Sequence, residues 1–163
     1  CIRDRDVICG ALKGTGDMLG MYLGDLSDAD LLVRPVPKAN HIAWQLGHLI
    51  LSEIGIARGY LPNINYPELP AGFAEQHNAD AHAKDTGFAT KAEYLDLFNK
   101  VRQATINAVG KLPDADLDKP TTGRMAAMAP TVGALLMVNA NHVMMHAGQF
   151  SVVRRKLGKP VLF

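Results

Sequence analysis

Leu135, Asn139, His142, His146, Gln149 and Val153 step along the chain by four, three, four, three and four residues, which places them on one seam of a single helix. Helical periodicity runs from Thr131 to Leu157 around them. A bundle helix fills its seam with Leu, Ile and Val, yet four consecutive seam positions here are polar, with apolar residues above and below. Burying imidazoles and amides costs free energy unless each finds a partner, so four together need one shared reason. His142 and His146 stand one turn apart and can aim two ring nitrogens at a point, as a helix presents a metal ion. The other reading is a satisfied polar layer or an exposed stripe. The HxxxH spacing does not decide between them, because it is common.

A chain of 163 residues is long enough to bury a substantial core and reads as one domain over residues 1–163. With 48% hydrophobic and 20% charged residues, it is not a disordered chain. A net charge of +1 gives no electrostatic reason for a nucleic acid or an anionic membrane surface as partner. No apolar run reaches the ~20 residues that span a bilayer, and the residues present show no signal peptide. Cys1 and Cys9 both fall near the start and, two helical turns apart, cannot bridge within one helix. They read as reduced thiols of a cytoplasmic protein. Neither has a Cys-x-x-Cys partner, so histidine must carry any metal.

Residues from about Arg3 to Leu23 predict an amphipathic first helix weakened by four glycines, with Gly24 as its stop. Leu26-Ser27-Asp28-Ala29-Asp30-Leu31 predicts a capped turn, and Pro35 and Pro37 forbid a regular helix after it. A second helix starts near Asn40, a good N-cap, and runs to about Arg58. Its stripe Trp44, His48, Leu51, Gly55 puts a histidine among apolar residues, flanked by Gly47 and Gly55, which would let a neighbouring helix come close. Alone, that histidine reads as a hydrogen-bonded core residue. Tyr60 to Ala89 loses periodicity and gathers prolines, a long connection pinned by Phe73 and Phe88, with His77 and His82 expected in solvent. Thr90-Lys91-Ala92-Glu93 is a capping box that opens a third helix ending at Gly110. Arg154, Arg155, Lys156, Gly158 and Pro160 form the stop pattern of the last helix. Leu112-Pro113-Asp114-Ala115-Asp116-Leu117 echoes the first capped turn, which fits either two similar hairpins packed face to face or chance.

Four helices without a strand pattern predict an all-α four-helix bundle with long connecting loops. In such a bundle, His142 and His146 need a third ligand from another helix, and His48 is the only histidine in the middle of one. His41, about two turns earlier on a similar face, would reach a pocket mouth rather than the same ion.

The segment Asn40-His41-Ile42-Ala43-Trp44-Gln45-Leu46-Gly47-His48-Leu49 resembles the second-helix motif of the DinB/YfiT-like proteins, where a Gly-His-hydrophobic step carries the first metal ligand. Asn141-His142 through His146-Ala147-Gly148-Gln149-Phe150, followed by Arg154 to Pro160, resembles that family's last helix. The resemblance covers nearly the whole chain. It implies a four-helix bundle of DinB/YfiT type with up-down-down-up connectivity, and one divalent metal ion per chain, zinc first and nickel next, on His48, His142 and His146. It also implies frequent homodimers. Assigned activities in the family include transferases and isomerases that act on small molecules through a low-molecular-weight thiol.

Three neutral imidazoles leave a coordination position open, as catalytic rather than structural zinc sites do. Val143 follows His142 where a zinc protease would place Glu, and Glu53, five residues after His48, points away from its face. No general base stands out and the catalytic residues stay unassigned, which favours thiolate activation over hydrolysis. Three readings remain open at this point: a thiol-dependent S-transferase or isomerase, a metal-dependent small-molecule hydrolase, and a non-catalytic metal-stabilised bundle.

Overall fold

The computed structural model describes residues 3–81 and 84–162. These contain six α-helices: α1 Asp4–Leu23, α2 Ile42–Arg58, α3 Phe73–Gln76, α4 Lys91–Lys111, α5 Asp114–Leu117 and α6 Val132–Lys156. Among the described residues the only strand-like pairing is one isolated bridge between Pro120 and Thr131. The four long helices form the bundle. α1 packs on α4 and α6, and α2 packs on the same two, so the order around the bundle is α1, α4, α2, α6.

Cross-helix contacts fix the directions. Arg102 near the middle of α4 donates to the Leu12 carbonyl, while Lys91 at its start donates to Leu23, so α1 and α4 are antiparallel. Ile8 lies beside Gly133 and the Tyr22 carbonyl beside Arg154, so α1 and α6 are parallel. Gln45 meets His146 while His48, one turn further along α2, meets the earlier His142, so α2 and α6 are antiparallel and α2 runs with α4, which it meets at Glu53–Arg102. The connectivity is up-down-down-up, as the family resemblance implies. α1 and α2, and likewise α4 and α6, therefore sit diagonally across the bundle while α2 and α4 are neighbours, so the two-hairpin reading of the sequence echo does not hold.

The core is filled by Leu12, Leu19 and Leu23 of α1, Leu46 and Ile50 of α2, Phe98 and Val101 of α4, and Leu136, Val143 and Phe150 of α6. Burying apolar surface of this kind is worth about 25 cal/mol per Å² removed from water. Local signals set the helix ends. The Thr90–Glu93 capping box is present in both halves, and Thr131 caps α6 through the Ala134 amide. Gly158, just past α6, takes φ +68, which favours glycine.

Arg154, Arg155 and Lys156 do close α6 in its last turn, and Arg154 is besides buried, paired with Asp25 and donating to the carbonyls of Tyr22 and Pro160. Two local expectations need correction. The N-cap of α2 is His41 rather than Asn40: its Nδ1 accepts from the Trp44 amide at 3.1 Å. Gly55 is exposed and brings no helix closer, and at Gly47 the close neighbour is the His77 ring of the long connection.

That connection, residues 59–90, lies along the first half of α2. Trp44 Nε1 donates to the Asn78 carbonyl at 3.1 Å, and His41 Nε2 donates to the Lys84 carbonyl at 3.0 Å. Phe73 is buried and Phe88 lies edge-on to His41, so both phenylalanines pin the segment as their positions suggest. His77, expected in solvent, is 3% exposed. Its Nδ1 donates to the Phe73 carbonyl at 2.7 Å, which leaves Nε2 to accept from the Tyr94 hydroxyl at 2.7 Å. His82 and Cys1 lie outside the described residues; Cys9 is a free thiol donating to the Ile106 carbonyl.

Candidate metal centre

Antiparallel packing of α2 on α6 brings His48 to the turn of α6 that carries His142 and His146. Their ring centroids lie 5.1 Å and 5.4 Å from that of His48, and 4.8 Å from each other. One nitrogen from each ring falls within 4.8 Å of the other two. His146 is buried, whereas His48 and His142 are half-buried, so the group sits at the edge of the core and not in its middle.

Gln45, one turn before His48, decides how His146 is used. Its Nε2 donates to the Asn40 carbonyl at 2.8 Å, which turns Oε1 towards His146 Nδ1 at 2.6 Å. An amide oxygen only accepts, so Nδ1 carries the hydrogen and Nε2 presents a lone pair to the cluster. Nε2 of His146 lies 3.1 Å from Nε2 of His142. Two facing lone pairs repel, so this spot holds either a proton on His142 or a cation. Two nitrogens bound at ~2.0–2.1 Å to one tetrahedral ion stand roughly 3.3 Å apart, close to what is seen.

The rings are also kept neutral. Burial pushes His146 down to about 3 and His142 to about 4, helped by the neighbouring imidazoles, and burial lowers His48 as well. A neutral imidazole is the form that binds a metal. Trp44 stacks on His48 at 5.0 Å between centroids and 10° between planes, so the residue that anchors the long connection also backs one ligand ring.

Other candidates fall away. His41 is fully engaged as a cap and does not open onto a pocket mouth. Gln149 is exposed and outside the seam. Glu53 does turn from the site, towards Arg102, which donates to it from Nε at 3.0 Å with Nη2 at 2.8 Å. Burial raises the Glu53 carboxyl while Arg102 opposes it. The role of Gln45 was missed by sequence reasoning; a glutamine one turn before a candidate ligand histidine, among the apolar residues that open α2, was the available signal. A groove of about 600 Å³ lies elsewhere, between the long connection and the start of α4, lined by Phe73, His77, Tyr94 and Lys100.

The chain is an up-down-down-up helical bundle with three imidazoles gathered between α2 and α6, close enough together that one ion could reach all three. The DinB superfamily model matches residues 11–150, and the chain belongs to that superfamily. A crystal structure of a conserved protein from Enterococcus faecalis superposes with a TM-score of 0.69 at 16% identity, covering 98% of this chain and 100% of that one, a likeness of fold. A comparison with curated proteins found no match. Among the described residues no helix is long and apolar enough to cross a membrane.

Proposed function

We propose that this chain is a metal-dependent enzyme that transfers or isomerises a small molecule with the help of a low-molecular-weight thiol. His48, His142 and His146 would hold one divalent ion, zinc first and nickel second. The observation that carries the reading is the Gln45-directed lone pair of His146 facing His142 at 3.1 Å, beside a third neutral ring. When bound, an ion on three neutral imidazoles keeps a position open and lowers the pKa of the water or thiol that enters it.

The chain's own residues do the rest. Gln45 holds His146 in one tautomer, and Trp44 holds the plane of His48. The half-buried rings of His48 and His142 leave the site open to a small molecule. The thiol-dependent reading is preferred to hydrolysis because the carboxylate nearest along α2, Glu53, is tied to Arg102 and cannot serve as a base there. The working form is taken to be a homodimer in the cytoplasm, with light scattering as the test of assembly.

Metal-loaded protein incubated with a panel of electrophiles and glutathione, bacillithiol or mycothiol tests the activity. Turnover that requires a thiol and disappears in His142→Ala is expected. Turnover unaffected by leaving out the thiol would identify a hydrolase, and no turnover with any thiol would leave a binding or structural role.

A further inference from the structure

Asn139 is 2% exposed, and neither its Nδ2 nor its Oδ1 has a hydrogen-bond partner. Three of the other buried polar side chains are held throughout: Gln45 bonds at both ends of its amide, and His41 and His77 at both ring nitrogens. Glu53 and Arg102 each leave one atom outside a hydrogen bond but are fixed through the others. A buried amide with nothing to bond costs ~1–3 kcal/mol. A leucine of similar size would avoid that cost and favour the helix more.

The position of Asn139 says what could use it. It lies three residues before His142 and seven before His146, on the same face of α6, about 4.5 Å along the axis from His142. That face packs against α2 where His48 and Gln45 project. We infer that Asn139 orients the small molecule that enters the three-histidine site, its amide hydrogen-bonding that molecule's polar atom. Nδ2 suits an anionic sulfur or oxygen, and Oδ1 suits a hydroxyl or thiol hydrogen. This rests on the metal-centre reading above.

The test compares wild type with Asn139→Leu, both loaded with cobalt and titrated with 2-mercaptoethanol while the visible spectrum is followed. Both should take one cobalt per chain, and the metal-free variant should melt no lower than wild type. Its affinity for the thiol should fall about tenfold, the loss of one hydrogen bond to a charged atom. Equal thiol affinity, with cobalt retained, would overturn the inference and leave the metal centre standing. A wild type that takes no cobalt would remove the metal centre and this inference with it. Should Asn139→Leu lose cobalt, Asn139→Ala decides: loss in both means that the amide supports the histidines, and the orienting role is wrong; cobalt retained with weakened thiol binding upholds it.

Discussion

Gln45 Oε1 lies 2.6 Å from His146 Nδ1, across the interface between α2 and α6. This one bond joins the two helices that carry the candidate ligands and selects which nitrogen of His146 faces the other rings. In Gln45→Leu the Nδ1 hydrogen loses its acceptor and the ring is free to turn over. Metal affinity, read by competition with a chromogenic chelator, should fall ~10–100-fold, while Gln45→Glu, which still accepts, should lose far less.

Gly47 has no side chain because the His77 ring occupies the space. A Cβ built there would stand 2.1 Å from Cδ2 of His77. Gly47→Ala must expel that ring and break its bond to Tyr94. An overpacking cost of about 1–3 kcal/mol is expected, a fall in melting temperature of roughly 2–4 °C per kcal/mol for a chain this long. Gly55→Ala, with open space around it, should be neutral or slightly stabilising.

Glu53 and Arg102 form a buried ion pair at 2.8 Å, and Arg102 also donates to the Leu12 carbonyl of α1, so three long helices meet at one guanidinium. Removing one partner strands a buried charge. Glu53→Leu or Arg102→Met alone should cost about 3–5 kcal/mol in urea unfolding. The double substitution should recover most of that loss. A double variant as unstable as the sum of the singles would contradict the pairing.

Burial holds His41, His48, His77, His142 and His146 below the ordinary histidine value, with His142 at about 4 and His146 at about 3. Below about pH 6.5 the unfolded chain takes up protons on these rings before the folded one does. The unfolded state then binds more protons, so stability is complete above that pH and falls as pH drops towards the depressed values. The urea midpoint of metal-free protein should decrease steadily between about pH 7 and about pH 5. A midpoint flat over that range would contradict neutral, buried rings.

What could be read in the sequence was local. The α6 seam and the Thr90 capping box rest on residues three and four apart; the box appears whole and the seam at every position but Gln149. The three histidines could be grouped because His48 was the sole histidine inside another helix, and the family resemblance pointed to the same set. The seam was read one step too far at Gln149. A helix of 3.6 residues per turn drifts about 20° over each seven residues, so Gln149 lies beyond His142 on the edge of the stripe, where His142 is already half-exposed. His77 was misread because two of the residues that enclose it, Gly47 and Tyr94, lie 30 and 17 positions away and no short-range pattern links them to it.

The central claim is that His48, His142 and His146 hold one ion together. Protein purified without a nickel column and analysed for metals by mass spectrometry tests it most directly. One divalent ion per chain is expected in wild type, with His48→Ala, His142→Ala and His146→Ala each folded but essentially metal-free. A metal-free wild type that also takes up no zinc or nickel when offered them, or variants that keep a full complement, would contradict it.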